Sequence, residues 1–113
     1  MDGTVTRDNI LAHAKAIITE EVERAGYRVR RILLFGSRAR GEARPDSDWD
    51  FFVITDREPP YPEQRDMKAR IRRRFVEAGF WGDVILQSEE VVERRKANTG
   101  FLTYYVLKEG VEI

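Results

Sequence analysis

Leu33-Leu34-Phe35-Gly36-Ser37-Arg38-Ala39-Arg40-Gly41, followed by Asp48-Trp49-Asp50-Phe51-Phe52-Val53-Ile54, is the stretch on which the reading of this chain turns. The unbroken apolar run Ile32–Phe35 predicts a strand over 28–35, central in its sheet and covered on both faces. It runs into a Gly-Ser turn, after which residues 37–41 have room for no more than a helical turn. Residues 42–47 hold Pro45 and several charges and read as a loop. A second strand is expected over 48–55, and it opens with two carboxylates one residue apart.

Outward from this centre, residues 6–25 predict an amphipathic helix. Ile10, Leu11, Ala14, Ile17, Ile18, Val22 and Ala25 recur at helical spacing, with Thr6 as N-cap and Gly26 as stop. Beyond the Pro59-Pro60 linker, Pro62 suits the first turn of a helix that reaches Ala78 and stops at Gly79. Met67, Ile71 and Phe75 form its inner stripe. Residues 80–87 read as a third strand. Ser88 caps a further helix, with Glu89 and Glu90 in the first turn where the helix dipole favours acids. Residues 101–109 suit a last short helix ended by Gly110, and Val111–Ile113 an edge strand or a tail. Helices alternate with strands, so the expected class is α/β, with helices packed on a small sheet.

At 113 residues the chain reads as one domain over 1–113. Apolar residues make up 42% and charged residues 35%, which suits a globular body with a charged surface. The 20 basic and 20 acidic residues cancel, so net charge gives no basis for direct nucleic-acid binding. The absence of cysteine excludes disulfides, thiolate zinc sites and cysteine nucleophiles. No apolar run is long enough to cross a membrane, and Met1-Asp2-Gly3-Thr4 lacks a leader pattern, so a cytoplasmic location is expected.

Asp48 and Asp50, two apart on a strand, share a face. Two carboxylates so placed repel unless a cation lies between them, and Mg²⁺ prefers one or two carboxylates together with phosphate oxygens. The plainer alternative is a pair of solvated loop acids. A calcium loop starting at Asp46 fails, because its sixth position is Phe51 and its twelfth is Arg57. Asp83 precedes Val84-Ile85-Leu86 in the third strand, where an acid is either exposed at an edge or held in a site. If that strand lies beside the second, three acids converge. Gly36-Ser37 supplies a phosphate side: glycine permits close backbone approach, and the N–H groups of a helical N-terminus attract anions. No Gly-Lys-Ser/Thr follows, so this is not a Walker A loop. Arg38, Arg40 and Arg44 lie in the same loop, either within reach of phosphate oxygens or as ordinary solvated arginines.

Together these residues resemble the minimal nucleotidyltransferases of the polymerase β superfamily. Their signature is an apolar strand, Gly-Ser, ten residues, Asp-x-Asp, and a third Asp on a later strand. Here ten residues separate Gly36-Ser37 from Asp48-Trp49-Asp50, and Asp83 matches the later acid. The resemblance covers nearly the whole chain and departs from the pattern at no signature position. It implies a small mixed sheet packed with helices in the polymerase β-like nucleotidyltransferase fold. It also implies that Asp48, Asp50 and Asp83 are catalytic and hold two Mg²⁺ ions, and that Gly36 and Ser37, with Arg38 and Arg40, bind a nucleoside triphosphate, ATP. An acceptor hydroxyl then attacks the α-phosphate in line, pyrophosphate leaves, and AMP stays on the acceptor. Small proteins of this type resemble the antitoxin half of MNT–HEPN toxin–antitoxin pairs, in which AMP is placed on a tyrosine of the HEPN partner. Two alternatives stand beside it: an antitoxin that neutralises its partner by occlusion, and a small-molecule nucleotidyltransferase with a separate substrate-binding subunit.

Other features carry less. His13, on the first helix, reads as structural. Arg70, Arg72, Arg73 and Arg74 are expected to form a solvated helix face. Phe101, Leu102, Tyr104, Tyr105 and Leu107 suit packing of the last helix or a partner interface. Trp49 should face away from its flanking acids.

Overall fold

The computed structural model describes residues 6–113; the Met1–Thr4 stretch read above for a leader lies outside them. The first helix, α1 (Arg7–Arg24), is capped by Thr6, whose Oγ1 accepts the Asn9 N–H at 3.2 Å. Strand β1 (Val29–Phe35) leads through Gly36 into a single helical turn, α2 (Ser37–Arg40). Strand β2 (Trp49–Thr55), helix α3 (Tyr61–Glu77) and strand β3 (Gly82–Ser88) follow. Ser88 ends β3 and caps α4 (Glu89–Arg95) by accepting the Val91 N–H at 3.2 Å. Helix α5 (Leu102–Glu109) and a two-residue strand β4 (Val111–Glu112) complete the chain.

The four strands form one mixed sheet in the order β3-β2-β1-β4. β1 pairs antiparallel with both β2 and β4, so the last residues are an edge strand and not a tail. β2 and β3 are parallel, which requires the α3 crossover between them. The two faces of the sheet are buried separately. Ile32, Leu34, Phe51, Val53, Val84 and Leu86 pack against α1 and α3, where Met67, Ile71 and Phe75 are fully buried as their spacing predicts. Leu33, Phe52 and Ile54 pack under Val92 of α4 and Val106 of α5. This double cover explains why β1 and β2 are apolar without alternation. Among the described residues, no helix is long and apolar enough to cross a membrane.

Two expectations change. The third strand starts at Gly82 rather than residue 80: Phe80 instead turns into the core against Phe75, ring centroids 4.7 Å apart, and Trp81 is left 69% exposed. The arginine run of α3 is not simply a solvated face. Glu21 lies in the apolar stripe of α1, 1% exposed, and takes Arg70 Nε at 3.2 Å on one carboxylate oxygen and Arg74 Nη1 at 3.0 Å on the other. Ile17 and Ile18 stand one turn before Glu21, a spacing that marks its side as the core side. A buried charge must be paired, and two arginines one turn apart on α3 supply the partners. The network ties α1 to α3 and so orients the crossover. Replacing Glu21 by Ala is expected to cost about 2–3 kcal/mol in urea unfolding. That is below the full penalty for breaking a buried pair, because both guanidinium groups reach water.

Candidate active site

The site stands where β1 ends and where β2 and β3 begin. Gly36 turns the chain out of β1 with φ of +78°, a conformation that glycine adopts without strain. It also makes room: a Cβ at this position would lie 2.6 Å from Asp50 Oδ2. The glycine therefore allows the turn and the carboxylate to occupy adjoining space. Gly36 O accepts the N–H groups of Ala39 and Arg40 at 3.1 and 3.2 Å, which closes the α2 turn. The leading N–H groups of such a turn have no intrahelical acceptor and point ahead of it.

Asp50 is the register partner of Phe35 on one side and of Asp83 on the other. Cross-strand partners share a face, so Phe35, Asp50 and Asp83 form one row across three strands. Asp48, exposed, immediately precedes β2. Burial, then the charges of Asp48 and of Asp83, push the Asp50 carboxyl above its ordinary range. Burial is the larger cause, and the two neighbouring negative charges add to it. Asp83 is exposed; its Oδ1 accepts Arg72 Nη1 at 3.1 Å and the Val84 N–H at 2.9 Å. Among the described residues, no three His, Cys, Asp or Glu side chains are gathered closely enough to form a metal cluster.

The donor set nonetheless fits Mg²⁺: hard carboxylate oxygens only, mutually repelling, beside a turn that a Cβ would obstruct.

Trp49 faces away from Asp48 and Asp50 and is buried on the α1–α3 side. The Arg38 guanidinium lies over its ring, 4.4 Å from the centroid, and donates to Ser47 O at 2.7 Å and Pro45 O at 3.3 Å. In this arrangement Arg38 holds the 42–47 loop against the strand that carries the aspartates. Arg40 Nε pairs with Glu42 Oε1 at 2.5 Å at the exposed end of the α2 turn. His13 is exposed on α1.

Two hollows flank the row. A slot of about 200 Å³ opens beside Gly36 and Arg40, lined by Phe35, Leu102, Tyr105 and Val106. Leu102 and Tyr105 are 47% and 45% exposed there. A wider cleft of about 470 Å³ lies between Arg7, Arg38, Trp49 and Trp81, and neither hollow is lined by any of the three aspartates.

Residues 16–113 match the family model described as polymerase beta, nucleotidyltransferase. The chain is 28% identical over 86 residues to a protein adenylyltransferase, MntA, of Aphanizomenon flos-aquae (strain 2012/KM1/D3), covering 73% of this chain. It spans about half, 54%, of that relative's length. A solved structure described as a minimal nucleotidyltransferase superposes with a TM-score of 0.58 at 25% identity, covering 94% of each chain. A second, the crystal structure of a toxin–antitoxin with AMP-PNP, superposes with a TM-score of 0.59 at 17% identity, over 87% of this chain and 70% of the other. The latter likeness is one of fold.

The raised Asp50 carboxyl has a consequence for stability. A carboxyl whose folded pKa lies above its unfolded value destabilises the fold where it is ionised. The penalty is complete above the raised value and disappears as pH falls through it towards the ordinary carboxylate range. Asp50→Asn is therefore expected to melt above the wild-type chain at neutral pH in metal-free buffer, and the gap should close on acidification. Thermal unfolding of both proteins across that range reads the difference; a gap independent of pH would contradict the raised Asp50 carboxyl.

Proposed function

Because the chain belongs to the polymerase beta nucleotidyltransferase family, we propose that it transfers AMP from ATP, with Mg²⁺, to a hydroxyl of a partner protein, and that this hydroxyl is a tyrosine of a HEPN-type toxin. The observation that carries the chemistry is the row in which Asp50 faces Asp83 across the parallel strands, with Asp48 and the Gly36-Ser37 turn alongside. The choice of a protein acceptor rests on the likeness to the adenylyltransferase MntA and on the toxin–antitoxin neighbour in fold.

Asp48, Asp50 and Asp83 would hold Mg²⁺, which when bound offsets the triphosphate charge and eases ionisation of the acceptor hydroxyl. The backbone N–H groups after Gly36 receive phosphate oxygens, with Ser37 as a further donor. Arg38 contributes by fixing the loop before Asp48, and Arg40 lies at the rim of the slot beside Gly36. That slot, with Tyr105 as a wall, suits a nucleobase and leaves the Asp83 end of the row for the acceptor. The acceptor oxygen attacks the α-phosphorus, the bond to the departing pyrophosphate breaks opposite, and a phosphodiester to AMP remains. The chain's contribution is alignment of the two oxygens and neutralisation of charge.

A second reading, neutralisation by binding alone, draws on the exposed Phe101, Leu102 and Tyr105 at α5. One variant separates the two. Asp48→Ala/Asp50→Ala, checked for intact folding, is expected to lower transfer of labelled AMP to the cognate partner at least about 100-fold and to abolish neutralisation. Full neutralisation by the folded variant would replace transfer with occlusion; no label on the partner from the wild-type chain would remove the proposed acceptor.

A further inference from the structure

Of the three site carboxylates, Asp83 alone carries an ion pair among the described residues. The donor is Arg72 of α3, a helix that contributes no other group to the site. Arg72 Nη1 and the Val84 N–H both bind the same oxygen, Oδ1. β3 has a neighbouring strand on one side only, and the Val84 N–H finds its acceptor in the Asp83 side chain. Oδ1 of Asp83 is thus engaged by partners of its own edge, although its backbone is in register with Asp50. This explains how the sheet can align the acids while no three of them yet form a metal cluster.

We propose that Arg72 is a positioning residue that latches the third carboxylate: it holds Asp83 out of the metal site, and release of the pair completes that site. The inference rests on the metal-site reading above. Both partners are half exposed, at 46% and 57% of their side-chain surface. An ion pair of this kind is weak and shifts an equilibrium by no more than about fivefold. A divalent cation between Asp48 and Asp50 attracts Asp83 more strongly than a solvated guanidinium does, so the latch yields to the loaded site and holds the empty one open.

Binding of Mn²⁺ alone to the full chain, followed by electron paramagnetic resonance, tests this without reference to catalysis. Arg72→Gln is expected to bind Mn²⁺ about two- to fivefold more tightly than wild type. The gain should vanish when Asp83→Asn is also present, and Arg73→Gln, an equal loss of charge at an exposed neighbour, should give none. An unchanged or weaker affinity in Arg72→Gln overturns the latch. So does an equal gain with Asp83→Asn or in Arg73→Gln, which would reveal only bulk charge. Asp48→Ala/Asp50→Ala keeps the two ideas apart: Mn²⁺ binding that survives it overturns the metal-site reading, whereas binding lost in it with no Arg72 effect overturns the latch only.

Discussion

The register of the parallel β2–β3 pair is the constraint on which the site depends. Asp50 faces Asp83 because the pairing runs from Trp49–Gly82 to Thr55–Ser88 without a slip. A shift of one residue would turn Asp83 to the opposite face and put Val84, 1% exposed in the core, in its place. The register is held at its first rung. Trp49 N–H donates to Trp81 O at 3.0 Å, and Gly82 lets β3 approach so closely that a Cβ there would lie 2.9 Å from Trp49 O and 3.0 Å from the Phe75 ring. Behind it, Phe75 packs on Phe51 and Phe80. The hydrophobic core thus sets the spacing of the charged groups that stand on its rim.

Those charged groups work against the fold. Asp50 is partly desolvated and faces two like charges, so its ionised form is held at a cost. The compensation lies at a distance, in the aliphatic and aromatic packing of both faces and in the Glu21–Arg70–Arg74 network that braces α1 against α3. α3 has a double part: its inner stripe and two of its arginines secure the crossover, while Arg72 reaches round to the outer edge of β3. A helix that fixes the sheet therefore also touches the site.

The sequence was legible where local rules decide. The Thr6 and Ser88 caps, the Met67-Ile71-Phe75 stripe and the glycines ending α1 and α3 follow from backbone geometry and helical period, and the structure has them. Gly36-Ser37 and Asp48-Trp49-Asp50 stood out because a turn that needs glycine, and acids on either side of a strand's first residue, leave a pattern in a few consecutive residues. The arginines were not. Arg38 reads as either a phosphate contact or a solvated arginine, and nothing in the sequence says that its guanidinium binds the Ser47 and Pro45 carbonyls over Trp49. Arg70 and Arg74 read as solvated but meet Glu21, 49 and 53 residues away. A long flexible side chain takes whichever acceptor the fold brings near, and sequence spacing says nothing of that distance. The acid at position 21, one turn beyond Ile17 and Ile18, was the available signal.

The order of elements and the glycine turn at position 36 were settled by residues adjacent in the chain, because dihedral preference and side-chain period act over a few residues. Bringing Asp83 opposite Asp50 needed the α3 crossover, a contact across 33 residues that no local preference encodes. The partner of Asp83 was likewise left to the folded state. Arg72 lies 11 residues before it, and only the packing of α3 along β3 carries the guanidinium to that edge.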